Sequence, residues 1–244
     1  GAKINNYSWF ERKNYFYPDL PKGYQISQFE KPFCEGGSLK LSNGKEVRIT
    51  RVHLEEDTGR LIHEAQISNL KSQISKSFVD FNRAGVPLME LVTEPDIESG
   101  KDAKKFGEGL QSLFRYLGVS EADMEKGQMR IEANISIMPE GAEKFGTKVE
   151  VKNLNSFRAC ERAIDYEIAR QEKVIEGGGK VIQETRGWNE NTGETFSQRT
   201  KEESHDYRYF PEPDLPPVRL SESDIESLRA DIPELPSERR GRFI

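Results

Sequence analysis

The chain has 244 residues, a formal net charge of −6 and 34% hydrophobic residues, enough apolar material for one large domain or two small ones. No apolar run approaches the roughly 18 residues of a membrane span, and the acidic balance excludes a broad basic groove as the main grip on nucleic acid. The two cysteines, Cys34 and Cys160, are too few for a disulfide framework, which favours a reducing cytosol.

The first part of the chain is predicted to be turn-rich and then to form a hairpin. Residues 12–33 mix aromatic residues with prolines at irregular spacing, which is typical of an extended segment on a surface. Asn43 and Gly44 then separate two β-like runs. This dipeptide is the strongest short hairpin signal that a sequence contains.

Two amphipathic helices are predicted further along. Apolar residues keep helical spacing from 99 to 117, with Ser99 as the N-cap and Gly118 as the stop. Ser156 is predicted to cap a second helix that ends at the glycines 177–179. Each helix has one apolar face, so each needs a partner layer in the core.

Alternating strands lie around these helices. Residues 129–138 and 147–154 alternate between apolar and polar side chains, as strands with one buried face do. A proline-rich strap over 204–220 and a short helix from near Ser221 or Ser223 follow. Because strands and helices are segregated, the predicted fold class is α+β, a mostly antiparallel sheet with helices packed on one side.

Alternation also predicts where the carboxylates point. Glu56 shares a face with Val52 and Leu54, whereas His53, Glu55 and Asp57 lie on the other face of the same run. Glu90 shares a face with Leu88, Val92 and Glu94, and glutamates 132 and 150 also fall within strand patterns. Two interpretations remain open at this point. The glutamates form cross-strand pairs with lysines on a solvated face, or they line a floor that holds Mg²⁺.

Four segments carry a resemblance to a known family. They are VDFNRAGVPLMELVTEPD (79–96), HLEEDTGR (53–60), KVEVKNLNSF (148–157) and HDYRYFPEPDLP (205–216). Together they resemble the B subunits of tRNA-dependent amidotransferases and their archaeal GatE relatives, and the similarity is dense from residue 12 to residue 236. The resemblance implies a fold similar to the glutamine synthetase catalytic domain.

The resemblance also implies a reaction and its partners. ATP phosphorylates the side-chain carboxylate of glutamate or aspartate esterified to tRNA, and ammonia then displaces the phosphate. A partner amidase, the A subunit, delivers the ammonia, and a small C subunit completes the heterotrimer. Mg²⁺ is the implied cofactor, ATP and aminoacyl-tRNA are substrates, and no membrane is involved. The implied location is the cytoplasm, or an organellar matrix in a eukaryote.

The resemblance assigns roles to particular residues. Glu56 and Glu90 fall at metal-ligand positions and, with Glu150, form the implied catalytic set, while Glu55 and Glu132 are weaker candidates. ATP binding is implied for Lys13, Phe145 and Lys152, and substrate binding for Asn82, Arg83 and Asn155. Structural alternatives stay open for three of them: Lys13 as a surface lysine, Phe145 as an ordinary core residue, and Arg83 as a partner of Asp80 in a turn around Gly85.

Departures from the family pattern bound these expectations. A Gly-Leu-Glu-x-His segment that opens the family, and supplies further metal ligands there, does not occur in this sequence. We therefore expect an internal fragment, with a catalytic domain over 1–236 and the start of a helical domain over 237–244. Residues 60–77 predict an enlarged hairpin loop, and the three histidines are too scattered to predict a zinc site. The alternative function is a scaffold or RNA-binding module of the same fold without catalysis.

Overall fold

The computed structural model describes residues 1–63, 77–200 and 207–243. These residues form two compact units. Unit 1 contains the described residues within Gly1–Ser38, Arg48–Glu94 and His205–Arg229, and unit 2 contains those within Leu39–Val47, Pro95–Ser204 and Ala230–Ile244. The sequence-based division at residue 236 stays a prediction.

The described elements are short strands with four helices among them. The helices are α1 (Gly100–Tyr116), α2 (Phe157–Glu176), α3 (Glu222–Ala230) and α4 (Pro236–Phe243). The strands are β1 (Lys3–Ile4), β2 (Tyr7–Ser8), β3 (Glu11–Asn14), β4 (Tyr24–Ser27), β5 (Cys34–Glu35), β6 (Ser38–Lys40), β7 (Glu46–Glu56), β8 (Arg60–His63), β9 (Ser77–Asp80), β10 (Pro87–Thr93), β11 (Ile131–Ile135), β12 (Val149–Leu154), β13 (Glu184–Asn189), β14 (Glu194–Thr200), β15 (Phe210–Pro211) and β16 (Val218–Arg219).

The strands pair into several small sheets. One sheet has the order β1-β5-β7-β10, with β6 also paired to β7, and another has the order β11-β12-β13-β14. A third has the order β15-β3-β4, and β16-β2 and β8-β9 are two-stranded. Strands β12 and β13 run parallel, while the adjacent pairs β11-β12 and β13-β14 are antiparallel. In the other large sheet, β7 and β10 also pair antiparallel. The α+β prediction with mostly antiparallel pairing is confirmed; the likeness to glutamine synthetase stays a prediction.

The predicted helix ends are confirmed. The side chain of Ser99 caps α1 by accepting a hydrogen bond from the N–H of Asp102, and that of Ser156 caps α2 by accepting one from Ala159. Beyond the C-cap of α1, Gly118 has φ of +67°, a left-handed conformation that ends helices readily. Local capping chemistry thus determines where both helices begin.

The core of unit 2 lies between α2 and the sheet β11-β12-β13-β14. Small residues of α2, including Ala159, Cys160 and Ala163, pack in one buried cluster with Val151 of β12 and Trp188 of β13. This packing covers one face of the sheet. The other face carries the polar side chains of β12, and two of the predicted site residues lie there.

The predicted hairpin and its neighbours are also present. Gly44, with φ of +88°, turns the chain between β6 and β7, as the Asn-Gly signal predicted. Strands β8 and β9 pair antiparallel, so the expectation of a loop over 60–77 is wrong for residues 60–63 and 77, which lie in these strands. The rest of that loop, 64–76, lies outside the described residues. Within the described part of the chain, no helix is both long enough and apolar enough to cross a membrane.

Candidate active site

Three titratable side chains from neighbouring strands meet in unit 1. The register of β7 against β10 pairs Glu90 with His53 and Leu88 with Glu55. Because side chains alternate along a strand, His53, Glu55 and Glu90 share one face of the sheet. One possible ligand atom from each of the three lies within 4.8 Å of the others. We call these residues the carboxylate–histidine cluster.

Two members of this cluster, His53 and Glu55, are buried although they are polar. His53 is 2% exposed and Glu55 is 9% exposed, which reverses the usual pattern of apolar residues inward. Ser27 of β4 donates a hydrogen bond of 3.3 Å to Glu55, and Nε2 of His53 is 3.8 Å from the same carboxylate oxygen. Among the described residues, Nδ1 of His53 is buried without a hydrogen-bond partner. A buried polar atom in this state costs about 1–3 kcal/mol, so the fold tolerates a destabilising polar group at this place.

Electrostatics keep the carboxylate of Glu55 charged. Burial alone would raise the pKa of Glu55, but the imidazole of His53 and the positive charge of Lys13 outweigh burial and hold the pKa below its usual value. Lys13 lies on β3, and its Nζ is 4.8 Å from the ring centroid of Tyr207. The residue that the resemblance assigned to ATP phosphates is therefore electrostatically coupled to the cluster.

Aromatic side chains from the strap lie beside the same carboxylates. The ring of Tyr209 stacks on Phe29 with 4.5 Å between centroids. Burial raises the pKa of Tyr209 to about 12, and the charges of Glu55 and Glu90 act in the same direction. The strap is held in place by Asn14, whose backbone N–H bonds to the carbonyl of Tyr207 at 2.8 Å. His205, in the same predicted strap, lies outside the described residues.

Glu56 occupies the opposite face of β7 from the cluster. Its carboxylate accepts a hydrogen bond of 2.8 Å from the backbone N–H of Ile26 and forms an ion pair with Lys22. Alternation within β7 already separated Glu56 from His53 and Glu55. The sequence could not reveal that Glu90 shares the face of His53, because alternation does not say which faces of two strands coincide. The metal role of Glu56 stays a prediction, while Glu90 lies in the cluster.

Asn82 and Arg83 lie in the turn between β9 and β10. The side chain of Asp80 accepts a hydrogen bond of 2.9 Å from the N–H of Asn82, and Nη2 of Arg83 is 3.4 Å from the carboxylate of Asp57. Gly85, with φ of +79°, completes the turn. The ion pair with Asp57 anchors the turn to the end of β7, two residues beyond Glu55.

A second charged group lies in unit 2, on the polar face of β11 and β12. Nζ of Lys152 is 3.0 Å from Glu132 and 3.7 Å from Glu150. Thr185 of β13 donates a hydrogen bond of 2.8 Å to the other oxygen of Glu150. The structure thus brings Glu150, Lys152 and Glu132 together, and the cross-strand Glu–Lys pairing considered from the sequence is present here.

The remaining predicted residues flank β12. Phe145 lies before this strand and is 52% exposed, so its ring is not part of the core. Asn155 lies directly after the strand, next to the N-cap Ser156, and is exposed. The roles of both residues in ATP or substrate binding stay predictions.

Sequence reasoning missed His53, Thr185 and Tyr209 as members of these groups. A signal existed for His53, since it alternates with Val52 and Leu54 on the face of Glu55. For Thr185 the signal was absent, because its neighbour Glu150 comes from a pairing between distant segments. Tyr209 lies in the quoted segment 205–216, but no role was assigned to it.

The fold and these groups define an α+β domain whose polar strand faces carry clustered carboxylates beside lysines. The model of the GatB/GatE catalytic domain matches residues 1–226, and the chain belongs to this family.

Similar proteins from three bacteria share one name, the B subunit of the aspartyl/glutamyl-tRNA(Asn/Gln) amidotransferase. That of Thermodesulfovibrio yellowstonii is 56% identical and that of Persephonella marina 54% identical, each over 100% of this chain and 50% of the relative. That of Picosynechococcus sp. is 51% identical over 99% of this chain and 50% of the relative. The chain therefore spans about half the length of the curated relatives it matches.

Proposed function

We propose that this chain contains the amide-forming site of a tRNA-dependent amidotransferase. In this reaction the side-chain carboxylate of glutamate or aspartate, esterified to tRNA, becomes an amide at the expense of ATP. The family match over residues 1–226 and the names of the relatives support the reaction class. The carboxylate–histidine cluster is the observation that carries the proposal for this chain.

The chemistry needs a leaving group because a carboxylate is a poor electrophile. An oxygen of the substrate carboxylate attacks the γ-phosphorus of ATP, and the bond from that phosphorus to ADP breaks. Ammonia then attacks the carbon of the acyl phosphate, the carbon–oxygen bond to phosphate breaks, and the nitrogen loses a proton. Such phosphoryl transfer is catalysed mainly by positioning and by charge stabilisation.

The donor set of the cluster fits a divalent cation. Two carboxylates, Glu55 and Glu90, supply the oxygen ligands that Mg²⁺ prefers, and Nε2 of His53 lies 3.8 Å from Glu55. When bound, Mg²⁺ offsets negative charge on the phosphates of ATP. Glu55, held ionised by its neighbours, is ready to bind a cation at neutral pH.

Other side chains have roles that follow from their charge. Lys13, a compact positive charge coupled to the cluster, is suited to bind a phosphate oxygen. Arg83 fixes the turn after β9 through Asp57 and places Asn82 at the edge of unit 1 for substrate contact. In unit 2, Glu150 and Lys152 form the second charged group, to which we assign a part in binding ATP.

Partners follow from the chemistry and from the family. Following the resemblance, we assign the release of ammonia from glutamine to an amidase A subunit, with a small C subunit in the heterotrimer. The alternative is a scaffold or RNA-binding module that does not catalyse, and such a module does not require clustered carboxylates. The buried and charged state of Glu55 favours the catalytic proposal.

The test replaces single carboxylates in the complete subunit, assembled with its partners. Glu90→Gln and Glu55→Gln are each expected to lower ATP-dependent amide formation about 100-fold or more with free ammonia as nitrogen donor. Glu30→Gln, at an exposed position of unit 1, is the control and keeps full activity. Glu56→Gln tests the sequence-based ligand assignment in the same assay.

Full activity in both cluster variants would refute the proposed site. Free ammonia bypasses the amidase, so a loss of activity in these variants reports on amide formation and not on ammonia supply. Unchanged thermal unfolding of the variants would show that the loss is chemical.

A further inference from the structure

Thr185 has a direct link to one of the proposed site carboxylates. Strands β12 and β13 run parallel, and their register sets Thr185 beside Glu150. The hydroxyl of Thr185 donates a hydrogen bond of 2.8 Å to Oε2 of Glu150. Nζ of Lys152 approaches the other oxygen, Oε1, at 3.7 Å. With a different partner on each oxygen, rotation of the carboxylate is restricted.

The backbone at Thr185 has an irregularity in its pairing with β14. Thr185 pairs with Arg199, whereas Arg186 pairs with Ser197, so Gln198 is an extra residue on the β14 side. Such bulges change the direction of neighbouring side chains and occur next to active sites. Here the bulge lies at the residue that holds Glu150.

The opposite face of β13 is anchored to α2 by a buried charge network. Arg186 donates hydrogen bonds to Glu184 at 2.6 Å and to Thr195 at 2.8 Å. Glu167 of α2 is fully buried and accepts hydrogen bonds from Arg170 and Thr195. Buried ion networks add little net stability compared with apolar packing. Each of their hydrogen bonds has a defined direction, however, and so fixes the position of the groups that it joins. The strand that carries Thr185, β13, is therefore held in one position by contacts on its opposite face.

We propose that Thr185 is a positioning residue that sets the orientation of the Glu150 carboxylate for the binding of ATP. This inference rests on the proposed function. Thr185 itself touches no substrate and acts through Glu150. Loss of an outer hydrogen bond to a functional side chain typically costs about 10–100-fold in affinity or activity. Removal of the Thr185 hydroxyl is expected to weaken ATP binding only through its effect on Glu150.

The experiment compares two substitutions in the complete, assembled enzyme. Thr185→Val keeps the shape of the side chain but removes the hydrogen-bond donor. It is expected to raise two values about 10-fold, the KM for ATP and the Kd for ATP measured by calorimetry with Mg²⁺. Thr185→Ser keeps the hydroxyl and is expected to restore both values to near those of the unchanged enzyme. Thr185→Ala serves as a second donor-free variant if the valine protein does not fold.

Thr195→Val is the matched control. It makes the same substitution on the neighbouring strand, where the hydroxyl bonds to Glu167 and not to Glu150. We expect it to lower the unfolding temperature without changing the affinity for ATP. An equal loss of ATP affinity in Thr195→Val and Thr185→Val, or a failure of serine to restore it, would overturn the positioning role in favour of a purely structural one.

Glu150→Gln separates this inference from the proposed function. If Glu150→Gln keeps full activity, the role proposed for Glu150 is wrong, and the inference about Thr185 is refuted with it. If Glu150→Gln is inactive while Thr185→Val binds ATP normally, only the positioning role is refuted. In the double variant we expect no further loss of ATP affinity beyond that of Glu150→Gln, because both residues act through one carboxylate.

Discussion

At the scale of single residues, ion pairs determine which carboxylates stay charged when they are buried. Glu212 is 5% exposed and accepts hydrogen bonds from Nε and Nη2 of Arg12 at 2.8 and 3.0 Å. The hydrogen bond from Arg12 lowers the pKa of Glu212 below its ordinary value of 4.5. This pair ties β3 to the segment after β15, within the same unit as Lys13.

The Arg12–Glu212 pair predicts how stability depends on pH. Because the folded pKa of Glu212 lies below the unfolded value, its contribution is present above about pH 4.5 and is lost as the pH falls through the folded pKa. Glu212→Gln is expected to lower the thermal unfolding temperature at pH 7 and to flatten its fall between about pH 5 and pH 3. Thermal scans at several pH values measure this.

The control for that prediction is Glu108→Gln on the exposed surface of α1, which should leave the pH profile unchanged. A Glu212→Gln profile parallel to that of the unchanged chain would show that the pair contributes no pH-dependent stability.

At the scale of elements, the local signals in the sequence predicted the helices and the hairpin well. Ser99, Ser156 and Gly44 act through their own or nearby backbone groups, so their effects can be inferred from a short window. Pairing between distant strands cannot be inferred in this way. The coincidence of Glu90 with His53, and of Thr185 with Glu150, depends on registers that no local pattern contains.

The close approach of α1 and α2 leads to a prediction about Gly100. A Cβ at this position would lie well inside van der Waals contact with the backbone oxygen of Glu161, so the two helices would have to move apart. Gly100→Ala is therefore expected to lower the free energy of unfolding by about 1–3 kcal/mol. Denaturant titration measures the change.

Gly109→Ala is the matched control in the same helix. Its Cβ would meet only Leu39 at 3.6 Å, an ordinary contact, and alanine is the better helix former by about 1 kcal/mol. The two substitutions are expected to change stability in opposite directions. A Gly100→Ala protein as stable as Gly109→Ala would contradict the close helix contact.

At the scale of the whole molecule, the predicted site residues fall into two sets. Lys13, Asn82, Arg83, Glu56 and Glu90 lie in unit 1, while Phe145, Glu150, Lys152 and Asn155 lie in unit 2. Each unit has its own group of carboxylates with a lysine beside it. The resemblance assigned both sets, since comparison with a family does not require knowledge of how strands pair, and these site roles stay predictions.

The charge of the whole chain leads to a prediction about its affinity for RNA. It has 42 acidic and 36 basic residues, and several cations are already neutralised, including Arg12 by Glu212, Lys45 by Glu98 and Lys152 by Glu132. Cations that are paired in this way are less available for phosphate contacts, which dominate affinity for nucleic acid.

We accordingly predict that the 244-residue chain binds tRNA weakly, with a Kd in the range of about 10⁻⁴ to 10⁻⁶ M at physiological salt. Phosphate contacts carry no sequence information, so the affinity should fall steeply with added salt and differ little between tRNA(Gln) and tRNA(Phe). Filter binding at two salt concentrations with both tRNAs measures these quantities. Nanomolar binding that distinguishes the two tRNAs at physiological salt would contradict the prediction, because it would require base-specific contacts within this chain.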